Sequence, residues 1–163
     1  MAVPKREFRE GRYVFKVMSD DIWRRIAVSA EATLEQLGDI ISASVDFDDD
    51  HLDRFTYTNQ IGLTFHAFHP CLEDVNLHTD EVKVGELLLQ LGSKLNYLFD
   101  FGDNWHFKIV LEVVETEKKE SELGKLSGKV TKRNQPKRKN KKRPIGEILE
   151  SHGQAPEQYP DFY

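Results

Sequence analysis

The amino-acid sequence predicts an α+β domain in which two helices pack on one face of a mainly antiparallel or mixed sheet. Three observations support this fold class: paired runs of β-branched and aromatic residues, two segments with apolar residues at helical spacing, and the alternation of these segments along the chain. The predicted order of elements is ββαββαββ, followed by a basic flexible segment and a short C-terminal helix. At 163 residues, the chain is long enough to bury a core without disulfide bonds.

Three β-hairpins are predicted from runs of residues with high strand propensity that are separated by turn formers. In chain order, these runs are residues 12–18, 22–28, 52–58 and 62–68, and the stretch YLFDFGDNWHFKIVLE at residues 97–112. In the third hairpin we expect a three-residue loop from Gly102 to Asn104, which pairs Asp100 with His106. The aromatic residues then lie on the core face, and this acid and histidine lie on the opposite face.

The helices are predicted from the spacing of leucine and isoleucine. In chain order, they cover residues 34–45, 84–91 and, as the short stretch IGEILESH, residues 145–152. Thr33 and Gln36 have the spacing of a capping box at the start of the first helix. Gly38 disfavours that helix by about 1 kcal/mol relative to alanine, unless close packing requires a glycine there.

Charge is distributed unevenly along the chain, whose net charge is -5. Residues 1–128 carry 14 basic and 24 acidic residues, whereas residues 129–163 carry nine and four. An acidic body therefore carries a basic segment that has almost nothing apolar to bury and is expected to be flexible. We predict a domain over residues 1–120, a basic linker or loop over residues 121–143, and a short helix with an aromatic tail, able to dock on the domain, over residues 144–163.

The cysteine content and the hydropathy indicate a soluble cytoplasmic protein. Cys71 is the only cysteine, so an intramolecular disulfide is excluded and a reducing compartment is expected. The N-terminal sequence lacks the apolar core of a signal peptide, and the longest aliphatic cluster, Leu87 to Leu91, is too short to cross a bilayer. We therefore expect no membrane partner.

Two long stretches of the chain resemble one known family. IWRRIAVSAEATLEQLGDIISASVDFDDDHLDRF, residues 22–55, and YLFDFGDNWHFKIVLE are similar to the plasmid pRiA4b ORF-3-like domain family. The shared landmarks are Trp23-Arg24, Thr33-Leu34, His51-Leu52 and the DFGDNW motif that ends at Trp105. The resemblance implies an α+β fold but no particular chemistry, because the family has no established activity. Many members continue into an acidic segment rich in cysteine and proline, which the basic run replaces here.

Acidic and histidine side chains in two loops form the candidate reaction site. The catalytic candidates are Asp100, His106 and Asp103, and the candidate metal ligands are Asp48, Asp50, His51, Asp100 and His106. Carboxylate and imidazole groups are common general acids, bases and metal ligands. Structural explanations also account for them: a cross-strand pair for Asp100 and His106, a turn cap for Asp103, and a solvated acidic loop for DFDDDH. An EF-hand is excluded because His51 occupies the position that requires glycine.

A basic run at residues 132–143 is the candidate nucleic-acid contact. Its cations are Lys132, Arg133, Lys137, Arg138, Lys139, Lys141, Lys142 and Arg143. Such a run suits phosphate groups or an acidic protein, although a linker that screens the acidic body explains it equally well. The sequence thus predicts a non-enzymatic binding or accessory module that needs no cofactor. The alternative is a hydrolase or nuclease that uses a divalent metal at the acid and histidine cluster.

Overall fold

A seven-stranded antiparallel sheet dominates the computed structural model, which describes residues 7–48, 51–101, 105–116 and 145–158. The strands are β1 (Arg12–Ser19), β2 (Ile22–Ser29), β3 (Asp53–Thr58), β4 (Thr64–Phe68), β5 (Lys94–Phe99), β6 (Trp105–Glu115) and β7 (Gly146–His152). The other described elements are one α-helix, α1 (Leu34–Ser44), and two 3-10 turns, Thr79–Glu81 and Val84–Leu87. In space the strands follow the order β4-β3-β5-β6-β1-β2-β7, and neighbours run antiparallel. Within these ranges no helix is long and apolar enough to cross a membrane.

The hydrophobic core lies between α1 and one face of the sheet, which we call the covered face. Alternate residues of each central strand point to this face, as the geometry of a strand requires. On β1 these residues are Tyr13, Phe15 and Val17, and none of them is more than 2% exposed. On α1, Leu37 and Ile41 are fully buried in the same cluster. Burial of this apolar surface is the main source of the stability of the fold.

Helix α1 begins where the sequence predicts it and packs closely against the sheet. The Thr33 hydroxyl accepts a hydrogen bond from the Gln36 N–H at 3.1 Å, and the Gln36 side chain accepts one from the Thr33 N–H at 2.9 Å, which confirms the predicted capping box. A Cβ added at Gly38 would lie 2.8 Å from the Tyr97 hydroxyl oxygen. That hydroxyl donates to the buried Asp53 carboxylate at 2.7 Å. Glycine is therefore required for this close approach of helix to sheet.

Arg24 is a buried cation that joins the end of α1 to the end of β7. It points to the covered face of β2 and is only 5% exposed. Its guanidinium donates hydrogen bonds to four backbone carbonyl oxygens, those of Trp23, Ser44, His152 and Gly153. The last carbonyls of a helix lack partners within the helix and carry a partial negative charge. A cation at this position therefore stabilises the helix end and holds β7 beside it.

The predicted fold class is wrong. The described chain is mainly an antiparallel sheet with one α-helix, not a ββαββαββ α+β domain with two helices on one face. The predicted second helix, residues 84–91, is only a 3-10 turn that ends at Leu88 in the left-handed region, with a φ of 51°. The Val84 and Gly85 N–H groups donate to carbonyls of the β2–α1 connection, and Leu89 is fully buried. These tertiary contacts decide the conformation of the segment.

The predicted C-terminal helix is also wrong, because Gly146–His152 forms β7 at one edge of the sheet. The backbone of β7 pairs with β2 from Val28 to Trp23. Most side chains of β7 are exposed, so a helix in this place would bury little apolar surface. The strand instead satisfies the hydrogen-bonding groups of β2. Tertiary pairing therefore outweighs the local helix propensity of this segment.

The hairpin of β5 and β6 has a longer loop than the sequence suggests. Leu98, rather than Asp100, pairs with His106, so the predicted pairing is wrong. Phe99 pairs with Trp105, and the chain leaves β5 at Asp100. Asp100 has a φ of 59°, in the left-handed region that aspartate tolerates. The observed partner of His106 lies two residues before the predicted one in the sequence. A shift of two residues keeps each side chain on the same face of its strand, so the aromatic face of both strands remains the core face.

Candidate functional site

An acid and a histidine among the predicted site residues meet at one end of the sheet, which we call the Asp100 end. The start of β3, the end of β5 and the start of β6 form this end. His51 precedes β3, and its Nδ1 atom lies 3.4 Å from the Asp100 Oδ2 atom. The His51 ring also contacts Phe99 edge to face, with ring centroids 5.7 Å apart. The histidine beside Asp100 is thus His51 and not His106.

The His51–Asp100 pair lies at ion-pair distance, which is longer than the roughly 2.7–3.2 Å of a typical N–H···O hydrogen bond. The two side chains are 27% and 12% exposed, so solvent reaches the histidine more easily than the acid. At hydrogen-bond distance, a carboxylate beside one ring nitrogen selects the tautomer of an imidazole. In the described ranges, no third histidine, cysteine or acid has a ligand atom within 4.8 Å of both. The pair alone therefore does not make a metal centre or a catalytic triad.

The remaining predicted ligands do not join this pair. His106 is exposed on the opposite face of the sheet. Asp48 contacts Gln158 through its backbone: its N–H donates to the Gln158 side-chain oxygen at 2.6 Å, and the Gln158 amide donates to the Asp48 carbonyl at 3.2 Å. Asp50 and Asp103 lie outside the described residues. These four positions therefore add no described ligand to the pair.

The basic run at residues 132–143 also lies outside the described residues, but its connection to the fold is described. β6 ends at Glu115, and β7 begins at Gly146. Both residues lie at the end of the sheet opposite the Asp100 end. At about 3.3 Å per residue, β6 separates its two ends by about 33 Å. The basic run therefore belongs to a connection between two strands of one sheet, and it leaves that sheet far from the His51–Asp100 pair.

A second cluster of histidine and acids, which was not predicted, follows β4. Ligand atoms of His78, Asp80 and Glu81 lie within 4.8 Å of one another, and the signal in the sequence was the i, i+3 spacing in HTDE. His78 Nδ1 is 2.9 Å from Glu81 Oε1, and its Nε2 is 2.7 Å from the Leu72 carbonyl oxygen. The carbonyl and then the carboxylate raise the pKa of His78. The ring therefore joins two loop segments, with Nε2 donating to the Leu72 carbonyl and Nδ1 facing the Glu81 carboxylate.

The sheet face turned away from α1, which we call the open face, carries a set of cations. Side chains on this face alternate with the buried residues of the same strands. Its cations are Arg12 and Lys16 on β1, Arg25 on β2, Arg54 on β3, Lys94 on β5 and Lys108 on β6. Alternation along each strand was visible in the sequence, but the order of the strands was not. The sequence therefore could not show that these cations share one surface.

Trp23 is the aromatic centre of the open face. Its ring stacks on His152 of β7, with centroids 5.4 Å apart and planes 9° apart. The Lys16 Nζ atom lies 5.0 Å from the Trp23 ring centroid, and the Arg25 Cζ atom lies 5.2 Å from it. Both distances are typical of cation–π contacts. The prediction of a C-terminal helix concealed this stack, because it placed His152 outside the sheet.

Acidic side chains neutralise only part of the open face. Two arginines each pair with two glutamates: Arg25 with Glu112 and Glu150, and Arg12 with Glu115 and Glu147. Lys16, Lys94 and Lys108 have no carboxylate oxygen within 4.0 Å in the described part of the chain. The part of the face that bears these three lysines therefore keeps its positive charge.

Together, these features define a small antiparallel-sheet domain with a covered face that forms the core and an open face that carries cations. Comparison with protein families identifies the group more closely. The chain belongs to the plasmid pRiA4b ORF-3-like protein family, whose model matches residues 14–137. The family resemblance inferred from the sequence is confirmed.

The solved structure of an archaeal protein has a similar fold. It is the crystal structure of MM3350, a protein of unknown function from Methanosarcina mazei Go1, which is 29% identical and superposes with a TM-score of 0.57. The match covers 65% of this chain and 61% of that chain, so this chain spans less than two thirds of its structural neighbour. No curated protein matches the sequence.

Proposed function

We propose that this protein is a non-enzymatic binding module of the cytoplasm that contacts nucleic acid through the basic run at residues 132–143. The observation that supports this proposal is the position of the run between β6 and β7 of a single sheet. The connection that contains the run is anchored at both ends, by Glu115 of β6 and Gly146 of β7, at the same end of the sheet. The same cations on a free tail would be spread over a much larger volume.

The distribution of charge favours contact at this place. Residues 1–128 are acidic overall and repel a phosphate backbone, so attraction is confined to the basic run and to the lysines of the open face. Each cation that neutralises a phosphate releases a condensed counterion, which makes binding strong at low salt and weak at high salt. Contacts of this kind bind the backbone of a nucleic acid and do not read its sequence.

The proposal is tested by titrating labelled single-stranded and double-stranded oligonucleotides with the full chain at about 50 and 200 mM salt. We expect the affinity to fall at least about 100-fold between the two salt concentrations. In a variant with the eight basic residues of the run replaced by serine, we expect at least a tenfold loss at low salt. If this variant binds the oligonucleotides as tightly as the unmodified chain, the proposal is wrong.

Two controls make this titration specific. A variant in which the order of residues 132–143 is shuffled keeps the number of charges and should keep the affinity, because the contact is electrostatic. Polyglutamate, added as a competitor, separates an acidic protein from a nucleic acid as the partner. Displacement of the oligonucleotide at equal charge concentration would favour the acidic protein.

The approach of His51 to Asp100 supports a second proposal, a metal-assisted hydrolase or nuclease at the Asp100 end. A divalent ion held by both side chains would raise the melting temperature. The increase should vanish in Asp100→Asn and in His51→Ala, and it should persist in His106→Ala, because that ring lies on the other face. A melting temperature that Mn²⁺ and Zn²⁺ leave unchanged would eliminate this proposal.

A further inference from the structure

We propose that the open face binds a single strand of nucleic acid along a track formed by Lys94, Lys108 and Lys16, which ends at the stacked rings of Trp23 and His152. This inference rests on the proposed function and extends the contact from the basic run to the folded sheet. The track lies on the described part of the chain, whereas the basic run lies outside the described residues. The two contacts can therefore be tested separately.

The register of the sheet places the residues of the track side by side. Two neighbouring rows cross the strands: Lys94–Val110–Lys16–Arg25 and Asn96–Lys108–Met18–Trp23–His152. The rows are two residues apart along each strand, which is about 7 Å. From β5 to β7, four strand spacings cover about 19 Å. A backbone of a few nucleotides can follow such a path.

Charge complementarity selects a phosphate backbone as the occupant. Lys94 and Lys108 are exposed, Lys16 is partly exposed, and none has a carboxylate within 4.0 Å in the described ranges. Arg12 and Arg25 are already paired with glutamates, which would repel phosphate. A polyanion therefore gains most along the three lysines and is kept away from the glutamate-rich part of the face.

The ring stack favours a single strand over a duplex. Bases stack on aromatic side chains only when they are unpaired or turned out of a helix. His152 is exposed and lies on β7, which is an edge strand of the sheet within the described ranges. The major groove of an undistorted duplex is about 12 Å wide and admits a helix or a two-stranded ribbon, whereas the five strands from β5 to β7 span about 19 Å.

Charge variants test the track directly. In the triple variant Lys16→Gln, Lys94→Gln, Lys108→Gln, we expect about a tenfold loss of affinity for a single-stranded oligonucleotide at low salt. The slope of log K against log salt should become shallower by about 2, since each phosphate contact contributes about 0.7. Lys83→Gln is the matched control, because Lys83 pairs with Glu31 at 2.7 Å away from the open face. If the triple variant does not fold, Lys108→Gln alone takes its place, and its affinity for the same oligonucleotide should fall about threefold.

Tryptophan fluorescence gives an independent readout. The chain has two tryptophans, Trp23 on the open face and Trp105, which packs on Phe47 at the covered face with ring centroids 4.9 Å apart. In Trp105→Phe, single-stranded DNA and RNA should each quench the remaining Trp23, and duplex DNA should not. In Trp23→Phe, the remaining Trp105 should be unaffected. Quenching confined to Trp105, or no quenching at saturation, would contradict the track.

The two sets of variants distinguish failure of this inference from failure of the proposed function. If serine substitution of the basic run removes binding and the triple lysine variant binds like the unmodified chain, the inference falls and the proposed function stands. If only the triple lysine variant weakens binding, the open face binds without the run, and the proposed contact is wrong. If neither change weakens binding, both proposals fall.

Discussion

The covered face and the open face are built from alternate residues of the same strands, yet they hold their side chains in different ways. On the covered face, large side chains such as Tyr13, Phe15 and Phe99 are fully buried. On the open face, charged side chains keep access to water, and their ion pairs are weakened by solvent screening. The difference separates two roles: the covered face provides stability, and the open face keeps charged side chains in contact with water.

The largest difference between the faces is expected at the neighbouring residues Phe99 and Leu98. Phe99 is fully buried on the covered face, so Phe99→Ala should lower the free energy of unfolding by about 3–5 kcal/mol. Leu98 is partly exposed on the open face, and Leu98→Ala should lower it by about 1 kcal/mol. Urea denaturation measures both values. Equal losses would mean that the open face is buried against another part of the protein.

Arg24 and Arg25 allow the same comparison of stability between the two faces, made with charged side chains. Arg24→Gln removes hydrogen bonds to backbone carbonyls at the buried junction of α1 and β7, and should cost about 2–4 kcal/mol. Arg25→Gln breaks ion pairs with Glu112 and Glu150 on the open face, and should cost much less because water screens these charges. Denaturant midpoints of the two variants give the difference. A larger loss for Arg25→Gln would contradict the assignment of faces.

The next largest change in stability is expected at Gly38, where α1 lies close to the covered face. In a solvent-exposed helix, Gly→Ala is stabilising, but Gly38→Ala should destabilise this fold by about 1–2 kcal/mol, because the new Cβ would lie 2.8 Å from the Tyr97 hydroxyl oxygen. In the Tyr97→Phe background, which lacks that oxygen, the cost of Gly38→Ala should shrink. A double-mutant cycle measures the coupling. An additive cycle would show that the hydroxyl is not the obstacle.

The smallest effect on stability is expected at His78, whose backbone forms an isolated bridge with Phe68 of β4. Because the folded state raises the pKa of His78, the stabilisation from this group is complete below about pH 6.5 and is lost as the pH rises through the folded-state pKa. The stability difference between the unmodified chain and His78→Ala should therefore be larger at pH 5.5 than at pH 8.5. Glu81→Gln should reduce this pH dependence. A difference that grows with pH would reverse the sign and refute the assignment.

Features that depend on neighbouring residues could be predicted from the sequence. The capping box of Thr33 and Gln36 sets the start of α1, and the first hairpin lies within one residue of its predicted bounds. Both features are encoded within a few residues, because capping groups and turn formers act on the adjacent backbone. The alternation of aromatic residues in β5 and β6 likewise identified the core face.

Features that depend on distant partners could not be predicted in this way. Three-residue and five-residue loops give the same alternation in β5 and β6, so the aromatic pattern could not exclude the pairing of Asp100 with His106. His51 reaches Asp100 because β3 and β5 are neighbours in the sheet, although more than 40 residues separate them in sequence. β7 is a strand because β2 offers it an edge. The register of β5 and β6 decided the first outcome, and strand order decided the other two.

The chain between Glu115 and Gly146 has a practical consequence for protein engineering. Its two ends are already fixed by β6 and β7, and the entropy cost of closing a loop rises by only about 0.6 kcal/mol for each doubling of its length. A peptide tag or a small reporter domain inserted there should leave the cooperative unfolding of the sheet almost unchanged. The fold thus offers an insertion site at which new recognition sequences can be exchanged without redesign of the core.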